Sequence, residues 1–149
     1  MKRKLKLINA QGICAWYDAF SQEKNKALPL RVQWNLLANI KELRKDVGKF
    51  TDLRNSFIDN LNKEYFGDDK SYIYQNEKGE DVRRIKDEYY DEYKTKVDEA
   101  NKVIFDASLE ENEYEFRVID VEKLIDEIPT DSGIQLEDIE IMSIFGGED

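Results

Sequence analysis

The stretch "DEYYDEY" sets Asp87 with Asp91, and Glu88 with Glu92, one helical turn apart. Carboxylates paired at that spacing can hold a hard cation such as Ca²⁺ or Mg²⁺. A carboxylate di-metal site also draws histidines from neighbouring helices, and this chain has none. Lys86, Lys94 and Lys96 lie among the acids, so the stretch reads as a solvated, internally balanced helix face. "GDDKSYIYQNEKGED" holds acids and glycines without the alternate-residue spacing of an EF-hand loop, and reads as a polar connection. "GGED" at Gly146–Asp149 has the letters of a nucleotide-cyclase turn, but such enzymes need a full domain after it; a frayed tail is expected. Cys14 falls beside an apolar helical stripe with no histidine to activate it, so it reads as a small buried hydrophobe. The basic residues Lys41, Arg44, Lys45, Lys49 and Arg54 could track phosphates along a helix. Glu42, Asp46 and Asp52 are interleaved with them, which favours internal charge compensation over nucleic-acid binding. The expectation is no catalytic residue, no metal and no cofactor: not an enzyme.

Composition supports that reading. Without histidine, and with one cysteine, zinc sites built on Cys and His are excluded, as are histidine-dependent acid–base and triad mechanisms and any intramolecular disulfide. At 149 residues the chain is expected to form a single domain, 1–149. Its charged fraction of 38% exceeds the usual quarter and suits long, half-exposed helices. The charge is uneven. Residues 106–149 carry only Arg117 and Lys123 against 15 acidic residues, within a chain of net −10. "MKRKLKLINA" begins like a signal peptide, yet Asn9, Gln11 and Asp18 interrupt the apolar run that must follow. No segment approaches the ~20 apolar residues of a membrane span. A soluble, intracellular protein is expected.

The elements follow from periodicity. "LKLI" (Leu5–Ile8) predicts a short strand with Lys4 and Lys6 outward, and a helix should run from about Ala10 to Lys24. Pro29 suits the first turn of a long helix. Leu36, Ile40, Leu43, Val47 and Phe50 recur at steps of four and three, and Leu53, Phe57, Ile58, Leu61 and Tyr65 carry the stripe onward across Gly48. The residues around "NEKG" predict either a small hairpin or a flexible loop. A third helix reads from about Lys86 to Ala107, with Tyr89, Tyr93, Val97, Ala100 and Ile104 on one side. "EYEFRVI" (Glu113–Ile119) is the clearest strand and should pair with the first. "VEKLIDEI" predicts a short helix or turn, and "IQLEDIEIMSIF" a last amphipathic helix with Leu136, Ile139, Met142 and Phe145 inward.

The Lys-rich first strand, "ALPLRVQWNLLANIKEL", the "NEKGE" turn, the Tyr- and Glu-rich "KDEYYDEYKTKVDEANK" helix and the closing strand together resemble a family of small bacteriophage and prophage proteins of unknown function. The match covers most of the chain as a pattern of residue types and carries no functional motif. It implies a phage-type origin, in the cytoplasm of a bacterial host or associated with the virion. The expected fold is α+β: a long antiparallel helical hairpin, a small sheet of the N- and C-terminal strands, and a short C-terminal helix. The expected function is non-enzymatic protein binding, to a host protein such as a defence or nucleic-acid-binding factor, through an acidic surface or the long helix. A phage structural or assembly component of oligomeric helices is the alternative. The third helix is too short to cover the long one, so a homodimer or a protein partner is expected there, with no membrane and no direct nucleic-acid contact. The residues expected to meet a partner are Phe57, Leu61, Tyr65, Tyr89, Tyr93, Glu137, Asp138 and Glu140.

Overall fold

A computed structural model of the chain describes residues 1–147; Glu148 and Asp149, the end of the tail expected to fray, lie outside the described residues. The architecture is α+β, with a long helix, two small antiparallel sheets and a short C-terminal helix. The chain divides into two compact units, Met1–Gly48 with Leu109–Asp149, and Lys49–Ser108.

In the first unit, β1 (Lys2–Lys6) pairs antiparallel with β4 (Glu111–Glu115). The register sets Lys2 opposite Glu115, Lys4 opposite Glu113 and Lys6 opposite Glu111. Opposite charges at facing positions favour this register over a slipped one, by about 0.2–1 kcal/mol per pair. The strand lies earlier than "LKLI" predicts. Leu7 already opens α1 (Leu7–Ala19) and donates its N–H to the Glu110 carbonyl at 2.9 Å. Leu7, Ala10 and Cys14 stand three and four residues apart and are buried together on α1, so the helical period wins there over the alternating one. The helix expected to reach Lys24 breaks at Phe20, whose backbone is extended. Ser21 then accepts the Lys24 N–H at 3.2 Å and caps α2 (Gln22–Lys26).

α3 (Leu30–Tyr65) follows Pro29 and passes through Gly48 without a break. Its first half buries Val32, Leu36, Ile40 and Leu43 against α1, Tyr114, Phe116, Ile119 and Leu124. Asp18 of α1 binds Arg44 of α3 at 2.6 Å, and the guanidinium lies 5.6 Å from the Tyr17 ring centre. α1 therefore folds back along the start of α3.

The closing strand is shorter than its alternation suggests. Its regular pairing with β1 ends at Glu115, opposite Lys2, and one further contact, with Met1, follows. Phe116 donates to the Met1 carbonyl at 2.7 Å, and Ile119 to the Phe145 carbonyl at 2.9 Å. Between them, Arg117 is held by a buried side chain: its N–H donates to Asn39 Oδ1 at 2.7 Å, and its carbonyl accepts from Asn39 Nδ2 at 2.8 Å. α5 (Val121–Glu127) is capped by Asp120, which accepts the Lys123 N–H at 3.1 Å. α6 (Leu136–Met142) runs into a 3-10 turn, Ser143–Phe145, and buries Met142 and Phe145. Leu136, expected inward, is 74% exposed. It stands two residues before the inward-facing Asp138, about 200° round the helix.

In the second unit, the later half of α3 runs antiparallel to α4 (Asp87–Ser108). Glu64 meets Lys96 at 2.6 Å, and the Tyr65 and Tyr93 rings meet edge-on at 5.3 Å. The connection is the hairpin, not the loop: β2 (Ser71–Gln75) pairs with β3 (Asp81–Ile85). Asn76 closes its turn by accepting the N–H groups of Lys78 and Glu80, both at 3.0 Å. Gly79 supplies the positive φ, 75°, that the turn requires.

Replacing buried Asn39 with alanine removes both of its part-buried bonds to the Arg117 N–H and carbonyl. The expected loss is about 1–3 kcal/mol, read as a lower urea midpoint with m-value unchanged. Exposed Asn55→Ala on the same helix should change the midpoint little.

Candidate partner-binding site

The apolar positions of the second unit follow the steps that build a helix pair. Phe57, Leu61 and Tyr65 on α3 meet Tyr93, Val97, Ala100 and Ile104 on α4. The seam is filled unevenly. At one end Tyr65 is fully buried, packed edge-on with Tyr93, which also meets Phe66 at 5.8 Å. The Lys70 ammonium sits 4.9 Å from the Tyr65 ring centre and 5.2 Å from that of Tyr89. Toward the other end the filling runs out. Phe57 and Leu61 are only half-buried, while Ile58 and Val103 are 46% and 47% exposed. A groove of about 310 Å³ opens there, lined by Phe57, Asn60, Leu61, Glu64, Lys96, Glu99, Ala100 and Val103. A smaller hollow of about 160 Å³ adjoins it through Phe57, Leu61 and Ala100.

The rim is polar. The Lys96 hydrogen bond holds the Glu64 carboxyl below the usual carboxylate range, with Lys70 at 3.7 Å adding to the effect. Lys96 is raised in turn, chiefly by its bond to Glu64. Two charges that stabilise one another are poor acid–base catalysts. The groove can take an apolar side chain, with an ion pair at its edge to orient the arriving group.

Of the expected partner residues, Phe57 and Leu61 line this groove, and Tyr93 lines the adjoining hollow. Tyr65 is fully buried at the sealed end of the seam and offers no surface. Tyr89 is half-buried beside Lys70. Glu137 and Glu140 are exposed on α6, in the other unit. Asp138 is a correction. It is 8% exposed, accepting from the Trp16 indole at 2.9 Å and the Gln135 N–H at 2.9 Å, with the Lys24 ammonium at 3.4 Å. Such a carboxylate holds α6 to α1 and does not face a partner. Lys96, Ala100 and Val103 line the groove without having been singled out. Ala100 and Val103 carry no chemical signal, and Lys96 read as charge balance for its own helix.

Other features offer less. Burial pushes the Cys14 thiol up, away from the reactive thiolate, with Arg44 opposing only in part. Burial also pushes Tyr114 up to about 12. Among the described residues, no three His, Cys, Asp or Glu side chains converge as metal ligands, and no helix is long and apolar enough to cross a membrane.

Asp138 generates a pH prediction. Burial alone would raise its pKa, but the Gln135 N–H, the Trp16 indole and Lys24 outweigh that and hold it below the usual range. A lowered carboxyl stabilises the fold above its unfolded value, roughly pH 4, and loses that contribution as pH falls through the folded value. Asp138→Ala should cost about 1–3 kcal/mol at pH 7. Urea titrations at falling pH should show the gap between wild type and variant narrowing below about pH 4.

Compared with family models, with curated proteins and with solved structures, the chain matches none.

Proposed function

We propose that the chain is a non-enzymatic protein-binding protein, and that the second unit offers one contact through the groove at Phe57 and Leu61. One observation carries this reading: the seam between α3 and α4 is sealed by tyrosines at one end and left half-open at the other. Leu53, Ile58, Val103 and Phe105 are exposed on the same two helices. A helix pair that needed nothing more would place polar residues there. The occupant is the complementary helix pair of a second copy, because Lys96 and Glu99 at the rim give one patch both signs of charge. A self-complementary patch is what a two-fold contact needs. The chain's net charge of −10 opposes association, though salt limits its reach to roughly 8 Å.

The resemblance to small phage proteins supports a phage-type setting for this binding. In that setting the dimer acts on a host protein, such as a defence or nucleic-acid-binding factor, in the bacterial cytoplasm. The alternative is a structural or assembly component of the particle, and copurification with phage particles would favour it.

Sedimentation equilibrium of the wild type and Phe57→Glu tests the dimer. The wild type should associate at micromolar concentration, and the variant should stay folded and sediment as a monomer. A wild type that is strictly monomeric at high micromolar concentration removes the self-association reading.

A further inference from the structure

The first half of α3 carries a second apolar strip, on the side away from its core. Leu30 and Trp34 are 64% and 66% exposed, and Leu37 is 36% exposed. With Lys41, also exposed, they stand at steps of four, three and four. At 100° per residue the four fall within about 60° of one another. Asn39, the inward anchor, lies about 180° from Leu30. An exposed tryptophan beside two exposed leucines makes no contribution to the core that would explain it.

The charge around this strip is net positive, with Asp18 and Glu42 each pairing one of the bordering cations. Arg31 and Lys45 border one side, and Arg44 the other. Glu42 and Asp46 are the acids of this stretch, and they lie more than about 100° round from the centre of the strip. Arg44 is already held by Asp18, and Lys45 by Glu42 at 2.8 Å. Among the described residues, no ion pair joins Arg31 or Lys41 to an acid, so both cations are available at the strip. Yet this unit as a whole holds 12 Lys+Arg against 18 Asp+Glu. A basic, apolar face on an acidic unit specifies its occupant.

We infer that the outward face of α3 from Leu30 to Lys45 docks an acidic amphipathic helix of another protein, with apolar residues on its seam and Glu or Asp beside it. The spacing is that of a short coiled-coil seam, with Leu30 and Leu37 at d, Trp34 and Lys41 at a, and Arg31 and Lys45 at e. A second copy does not fit. Parallel pairing sets Lys41 against Lys41, and antiparallel pairing sets Arg31 toward Lys45. An anionic bilayer or a nucleic acid fits less well than a helix. Either would extend beyond the strip and bring the unit's many carboxylates within a Debye length of about 8 Å. A single helix touches the strip alone. Trp and Arg are also the side chains that most often anchor a protein–protein contact. The inference rests on the protein-binding reading but uses a face in the other unit, so Phe57→Glu leaves it untouched.

The test is calorimetric titration of the full chain with synthetic helical peptides carrying Leu at a and d. One has Glu at e and g, its counterpart Lys at e and g. The Glu peptide should bind, and the Lys peptide should bind at least about tenfold more weakly. Trp34→Ala and Lys41→Glu should each weaken the Glu peptide by at least about tenfold. Both residues are exposed, so the thermal midpoint of each variant should match the wild type. Leu37→Lys is a second variant on the same strip and should also weaken binding. Equal binding of the two peptides, no binding of either, or variants that bind as wild type overturns the proposal. Tighter binding to phosphatidylserine vesicles or to single-stranded oligothymidylate than to the Glu peptide also overturns it. If the Trp34 and Lys41 variants bind normally while Phe57→Glu still abolishes self-association, this inference fails and the proposed function stands.

Discussion

The first unit turns on one buried amide. Past Phe116, which is still joined to Met1, the chain leaves its strand partner yet has to carry Ile119 into the core. The peptide groups on that path need partners where they are part-buried. Asn39 gives both at once, accepting from the Arg117 N–H and donating to its carbonyl. An asparagine side chain has the donor and acceptor of a peptide group, so it stands in for the missing strand. An aliphatic residue of the same size would leave both groups unpaired.

That bond also sets the rotation of α3. With Asn39 turned to Arg117, Leu36, Ile40 and Leu43 face α1 and the segment after β4. Leu30, Trp34 and Leu37 must then face away. Asn35 repeats the contact more weakly one turn earlier, donating to the Val118 carbonyl at 3.5 Å. The arrangement is braced at its far side by Asp138, which ties α6 to α1 and α2 through Trp16 and Lys24. Each polar group that holds this unit together joins segments distant in sequence. Local charged pairs on its surface, such as Lys45 with Glu42, contribute little.

Periodicity made much of the fold legible. The α+β class, the long helix crossing Gly48, the pairing of the first strand with the "EYE" segment, α4 and the C-terminal helix all follow from the spacing of apolar residues. The hairpin was legible as one of two options, because "NEKG" gives the turn chemistry but not the strand pairing. The misplacements share a cause. Leu7 alternates with Leu5 as in a strand, but it also lies at helical spacing from Ala10 and Cys14, and only tertiary packing decides between the two periods. "FRVI" alternates like a strand, but a strand ends where its partner ends. On the long helix, a stripe broad enough to include Leu53 and Ile58 mixed two faces, and the structure exposes both. As for the site, the sequence pointed to Phe57, Leu61 and Tyr93, but not to the buried Tyr65 and Asp138 as structural. Burial of a polar or aromatic group depends on what packs over it, which one sequence pattern does not contain.

The two sides of α3 invert the usual pattern, and the inversion separates folding from function. Its core side contains a fully buried asparagine, and its solvent side contains a tryptophan and two leucines. The asparagine has a structural reason, since removing it strands a peptide group. Leu30 and Trp34 have none, since most of each side chain is already in water and burial there stabilises the unit little. A residue whose type matters to the fold must lose something in the folded state when it changes. Lysine or glutamine at position 34 would lose almost nothing. In a chain with 38% charged residues, polar replacements at such positions are plentiful. The proposed acidic helix would account for both the apolar identity of the strip and the cations beside it.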